Sequence, residues 1–139
     1  MNKTKQAAKE FFIKHKLVYN PALKRKVIFG SKGLSHLFYK GANKKSSRSE
    51  KETVIRIMLL ERAMTVLQRA TFFQEESLLK NSSGEPSRYF AFEAVVEGRR
   101  IKVIVCQIGK GKPHFWSVIP EWRRVRGEVV NAKGDLLKE

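Results

Sequence analysis

Apolar residues along this chain keep one spacing up to about residue 69 and another from Arg88 onward. In the first part they recur every three to four positions, the period of a helix with one buried face. Residues 4–16 are predicted as a short helix, with Ala8, Phe11, Phe12 and His15 in register and Lys5, Lys9 and Lys16 elsewhere on its surface. Asn20-Pro21 marks a turn, and Val27-Ile28-Phe29 a short buried strand ended by Gly30. Ser31 is placed to cap a second helix that runs to Lys40, with Gly41 as its stop. Its stripe is Leu34, Leu37 and Phe38, which puts Lys32, His36, Tyr39 and Lys40 on the opposite face. A polar basic loop, 41–49, leads to a capping box, Ser49-x-x-Glu52, which opens the longest helix, about 50–69. Val54, Ile57, Met58, Met64 and Leu67 form its stripe, with Arg56, Arg62 and Arg69 off it.

After a surface loop at 80–87 the period becomes two. Phe90, Phe92, Ala94 and Val96 line one face of a strand, and Glu97-Gly98 is a hairpin turn. Ile101, Val103 and Val105 line the return strand, with Arg100 and Lys102 alternating with them as a ridge suited to phosphate. Gly109–Pro113 is a basic loop, and His114–Ile119 a third strand stopped by Pro120. Phe72-Phe73 fits a strand or a helix end, and in the tail Val129-Val130 and Leu136-Leu137 suggest a weak hairpin. Helices first and an antiparallel meander afterwards is an α+β layout.

Charge changes the picture most. The chain has 139 residues and a net charge of +16, from 29 basic and 13 acidic side chains. Residues 1–51 hold 14 basic and 2 acidic ones; the remainder holds 15 and 11. No fold requires such a field; a polyanion partner does, and nucleic acid is the default. An anionic membrane surface or an acidic protein inhibitor is the rival partner. The lone cysteine, Cys106, forms no intramolecular disulfide and reads as a core residue. With no run apolar enough to cross a bilayer, the expectation is a soluble protein of a reducing compartment, of cytoplasmic type.

The residues available for chemistry are few. His15, His36 and His114 share no metal-ligand spacing with each other or with carboxylates, so neither a metal nor another cofactor is called for. Gly30-Ser-Lys-Gly33 and Gly109-Lys-Gly111 are too short to be nucleotide fingerprints. What remains is His, Lys, Arg and hydroxyl groups on a basic surface, an inventory that suits RNA. RNA supplies its own nucleophile, the 2′-hydroxyl, and needs a general base, an acid and cations around the phosphate. His36, with Lys32 and Lys40 one turn away on either side, is the first candidate for the base; the plain alternative is an exposed histidine on a lysine-rich helix. His114 is a second proton-transfer candidate or a strand-end histidine. Trp116 is a base-stacking residue or a core residue. Ser117, polar in an apolar strand, requires a partner or a role. Period two sets His114 and Trp116 on one face and Ser117 on the other unless a bulge intervenes.

Four segments together resemble a known group. They are Val-Ile-Phe-Gly-Ser-Lys-Gly-Leu-Ser-His (27–36), Arg48-Ser-x-Lys-Glu52, Arg-Tyr-Phe-Ala-Phe-Glu (88–93) and Ile-Gly-Lys-Gly-Lys-Pro-His-Phe-Trp-Ser-Val-Ile-Pro (108–120). In order and spacing they are similar to the phage-associated nucleases of the barnase, EndoU, colicin and RelE-like superfamily, over residues 27–123. The resemblance implies a single domain with N-terminal helices packed on a small twisted antiparallel sheet. Residues 1–26 are then an N-terminal helical extension and 124–139 a tail. It implies a metal-independent endoribonuclease of toxin type, commonly directed at tRNA, phage-encoded or delivered to a target cytoplasm, with an acidic immunity or antitoxin protein as a possible partner. The family's histidine falls on His36, its lysine on Lys32 and its strand hydroxyl on Ser117, with Trp116 beside it and Arg48 as the first guess for its arginine. His36 would take the 2′-hydroxyl proton, Lys32 and an arginine would hold the phosphate, and a 2′,3′-cyclic phosphate would form. Lys40, Arg100, Lys102 and His114 would bind substrate. The rival is a non-catalytic basic RNA- or DNA-binding phage protein.

Overall fold

A computed structural model describes residues 2–40, 46–47, 49–80, 84–96, 99–120, 122–125 and 128–131. Helix α1 (Asn2–Lys14) leads into strands β1 (Leu17–Asn20) and β2 (Arg25–Ile28). Helix α2 (Ser31–Phe38) follows, then two-residue strands β3 (Tyr39–Lys40) and β4 (Ser46–Ser47), which pair with each other. Helices α3 (Glu50–Met58) and α4 (Leu60–Arg69) precede β5 (Glu75–Lys80), β6 (Pro86–Val96), β7 (Arg99–Ile108) and β8 (His114–Pro120). Strands β9 (Trp122–Val125) and β10 (Glu128–Asn131) close the described chain.

The fold class is α+β. Six strands form one sheet in the order β1-β2-β8-β7-β6-β5. It is mixed rather than wholly antiparallel, because β2 lies parallel to β8 through the pair Ile28 and His114. The β1–β2 hairpin escapes a reading by periodicity because each strand has four residues. Asn20 fixes its turn: the buried side chain donates from Nδ2 to the Leu67 carbonyl at 2.7 Å and accepts from the Leu23 N–H at 2.9 Å. Near the end β9 pairs with β10, which contains Val129-Val130; Leu136-Leu137, Glu97-Gly98 and Gly41 lie outside the described residues.

One face of the sheet carries the main core. Phe90 and Phe92 of β6, Ile101, Val103 and Val105 of β7, and Phe115 and Val118 of β8 meet Ala63, Met64, Val66 and Leu67 of α4. Phe12 of α1, Phe29 and Phe115 pack as one aromatic group, with Phe29 and Phe115 stacked at 4.6 Å. Ala8, Phe12 and Val18 belong to this same cluster, so α1 and β1 contribute to the core. The expected helix 50–69 is two helices, broken at Leu59. The break turns the first of them, so Met58 is exposed and Arg56, expected outside the stripe, is buried. Ser49 does cap α3, accepting from the Glu52 N–H at 3.2 Å.

Strand β2 ends at Ile28, so from Phe115 onward the outer edge of β8 has no strand beside it. Helix α2 lies there instead. Gly33 is the point of closest approach: a Cβ on it would sit 2.5 Å from the Phe115 carbonyl oxygen and 2.7 Å from its ring. The buried residues of α2 are Gly33, His36 and Leu37, an i, i+3, i+4 face centred on a residue with no side chain. Replacing Gly by Ala inside a helix ordinarily stabilises by about 1 kcal/mol. Here overpacking reverses the sign, and we expect Gly33→Ala to destabilise by about 1–3 kcal/mol in urea unfolding. A neutral or stabilising result would show that α2 does not rest on β8 at this position.

Candidate functional site

The site is built by an irregularity in β8. Ile104 pairs with Ser117 but Val105 pairs with Phe115, so Trp116 is an extra residue and the strand bulges. His114 pairs with Cys106 and Ser117 with Ile104. Cys106, Ile104, Trp116 and Ile119 belong to a second cluster with Tyr89 and Ala91, separate from the main core. The bulge therefore brings His114, Trp116 and Ser117 to one face, where strict alternation would have split them.

Helix α2 supplies the rest. His36 stacks on Trp116 with ring centroids 4.4 Å apart, and Tyr89 meets the other side of that indole edge-on at 5.8 Å. His36 is only 2% exposed, which overturns its expected place on an open face. Of the stripe expected on α2, Leu37 is buried but Leu34 and Phe38 are half-buried, and the contact line runs through Gly33. Lys32, one turn earlier, is exposed, and its charge acts on both His114 and Cys106.

Ser117 is buried and already bonded. Arg56 of α3 donates from Nη1 to its Oγ at 2.5 Å and to the Val118 carbonyl at 3.2 Å. The guanidinium thus takes the place of a neighbouring strand along the edge of β8. Sequence reasoning set Arg56 aside because it lies off the expected apolar stripe. A polar residue facing it from an apolar strand, Ser117, was the signal that a buried donor was needed.

Two side-chain nitrogens at this site, His114 Nδ1 and Trp116 Nε1, are buried without a hydrogen-bond partner among the described residues. An unmet buried donor or acceptor costs about 1–3 kcal/mol, and a ligand that pairs with it removes the cost. Burial lowers the pKa of His114 below its usual 6.5, and the Lys32 charge lowers it further, so the imidazole is neutral at pH 7. Burial pushes the Cys106 thiol up, while the Tyr89 hydrogen bond and Lys32 pull against it. The thiol stays protonated and is a packing residue, as expected.

The other expected residues do not converge here as anticipated. Lys102 is 2% exposed and its Nζ pairs with Glu75 Oε1 at 3.1 Å, so it is not an open phosphate ligand. A cation drawn onto this face of the sheet takes the nearest carboxylate across the strands. Arg100 is exposed at the far end of β7 and already engaged with a neighbouring group. Lys40 lies in β3, with its side chain outside what is described, and Arg48 lies outside the described residues. His15 packs on the Phe11 ring at 4.7 Å, consistent with a packing role.

Helix α2 begins without the cap expected from Ser31. The capping position is Gly30, which has no side chain to offer, and Ser31 is the first helical residue. The first turn carries no acidic residue either, only Lys32. Among the described residues no group of three or more His, Cys, Asp or Glu is placed to hold a metal ion. No described helix is long and apolar enough to cross a membrane. No protein-family model matches the chain, nor does any curated protein or solved structure.

Two measurements probe this geometry. Ser117→Ala leaves the buried Arg56 one acceptor short, and we expect a loss of about 1–3 kcal/mol in urea unfolding; an unchanged midpoint would mean that the pair does not form. For His114, a folded pKa below the unfolded value makes the stabilisation complete above the unfolded pKa and lost as pH falls. The thermal midpoint should therefore drop on going roughly from pH 7 to pH 5. The drop should be smaller in His114→Gln, and equal drops would contradict the assignment.

Proposed function

We propose that this chain binds RNA and cleaves it without a metal, by attack of the 2′-hydroxyl on the adjacent phosphate, at the bulged strand β8. The observation that carries the reading is the bulge at Trp116-Ser117, which gathers a neutral imidazole, a buried indole N–H and a hydroxyl beside the Lys32 ammonium. The net charge of +16 supports the polyanion, and the similarity of residues 27–123 to the barnase, EndoU, colicin and RelE-like nucleases supports the chemistry. That similarity rests on the residues themselves, since no family model matches.

The roles differ from those the sequence suggested. His114, half-buried and neutral, takes the 2′-hydroxyl proton in place of His36. As the 2′-oxygen bonds to phosphorus, Lys32 balances the charge that builds on the phosphoryl oxygens. The bond to the 5′-oxygen breaks, that oxygen takes a proton from water, and a 2′,3′-cyclic phosphate remains. The Trp116 indole N–H donates to a phosphate oxygen or a base carbonyl. His36 backs the indole and fixes its plane, and Arg56 with Ser117 fixes the bulge, so these three are positioning residues. A structured RNA such as tRNA is the substrate class the resemblance implies, and a small acidic protein would be its inhibitor by charge.

The burial of His36 favours a second reading, a basic RNA-binding domain that leaves its ligand intact. An assay of total RNA and tRNA in the presence of EDTA separates the two. The catalytic reading predicts fragments ending in 2′,3′-cyclic phosphate, a loss of about 10²-fold or more in His114→Ala, and a milder loss in His36→Phe, which keeps the stack. Intact RNA with a retarded band would establish the binding reading. Cutting abolished by EDTA would overturn the metal-free chemistry.

A further inference from the structure

On the other side of the Gly30 turn lies a second feature that the cleavage chemistry does not use. An open cleft of about 520 Å³ runs between α1, β2 and the start of α2. Its lining is apolar, from Phe12, Ile13, Ile28 and Leu34, and the stems of Lys9 and Lys16 contribute to it. Gly30 and Ser31 close one end, where α2 begins without a side-chain cap. Ile13 is 68% exposed here, although its neighbour Phe12 is buried in the core. Among the described residues no carboxylate lines the cleft.

We propose that this cleft is a nucleobase subsite for a single-stranded RNA segment next to the scissile phosphate, an inference that rests on the RNA-binding reading above. Three features select that occupant. An apolar floor accepts the face of a base of any identity, as aromatic platforms do in single-strand binders. Lys9 and Lys16 belong to the lining and, among the described residues, no acid does, which suits phosphates next to the base. Third, Gly30 is shared by both sites. A Cβ placed on it would lie 3.3 Å from the Ile28 side chain on the cleft floor and 4.0 Å from His114 Nδ1 in the catalytic cluster. One strand crossing the turn would therefore lay a base on Ile13 and Ile28 and bring a neighbouring phosphate to His114 and Lys32. A long apolar acyl chain fits the floor but gains little from two separated ammonium groups.

The test compares the affinity of two fluorescent 2′-O-methyl oligoribonucleotides, which resist 2′-attack. One carries all its bases, and the other has the same backbone with abasic residues throughout. Wild type should prefer the first by about tenfold, equivalent to about 1.4 kcal/mol. Ile13→Asp, at an exposed position that does not enter the core, should remove most of that preference. Val95→Asp, an equal charge change at an exposed position on β6, should keep it. Lys16→Ala should reduce the slope of log affinity against log salt by about 1. An undiminished preference in Ile13→Asp, or an unchanged salt slope in Lys16→Ala, would overturn the subsite while leaving RNA binding in place. Failure of wild type to bind either oligonucleotide would instead sink the functional reading on which the subsite rests.

Discussion

The contact of α2 with the free edge of β8 is the constraint on which the remaining features rest. A strand whose outer carbonyls have no partner strand is costly to bury. Here the edge is closed by a helix at Gly33 and by a guanidinium at Arg56. Both solutions demand particular residues. Any side chain at 33 would lift the helix off the strand, and any shorter cation at 56 would leave Val118 and Ser117 without a donor. Because the helix sits on the edge and not on a face, its two flanks reach opposite sides of the sheet. Leu37 joins the main core, and His36 turns to Trp116 on the far side.

The same placement explains why polar groups collect where they do. A regular strand would bury Ser117 among phenylalanines on the main-core face. The bulge moves it to the face that His114 and Trp116 already share, where Arg56 bonds it. The result is a small region of unmet nitrogens and the exposed Lys32, next to a buried cluster. Such a region costs stability, because each buried nitrogen without a partner has lost its bond to water. The depressed pKa of His114 follows from the same surroundings, since burial and the Lys32 charge both oppose protonation. The site's electrostatics and its packing therefore have one origin.

Much of the fold was legible in the sequence. The period-two runs of Phe90 to Val96 and Ile101 to Val105 gave the central strands and their inward faces, and Ser49 gave the start of α3. Three things were not legible, each for a physical reason. The β1–β2 hairpin is too short for periodicity to register, and its turn is held by Asn20 bonding to residues distant in sequence. The buried face of α2 is centred on a glycine, so hydropathy pointed about one residue step away from it and left His36 outside. The break at Leu59 rotated α3 and carried Arg56 inward. Of the candidate site, His114, Trp116, Ser117, Lys32 and His36 do assemble around β8, but with His36 buried and His114 half-buried. Lys102 was lost to a local ion pair with Glu75, which no one-dimensional pattern reveals.

On the RNA-binding reading, RNA docks against the bulged strand beside Lys32. The most direct measurement is a nitrogen-15 NMR titration with an uncleavable 2′-O-methyl oligoribonucleotide, following the Trp116 indole and the His114 imidazole. The account predicts that both signals move together and saturate with binding, the indole shifting as its N–H gains an acceptor. Saturable binding with those two signals unmoved would place the RNA elsewhere on the basic surface and contradict it.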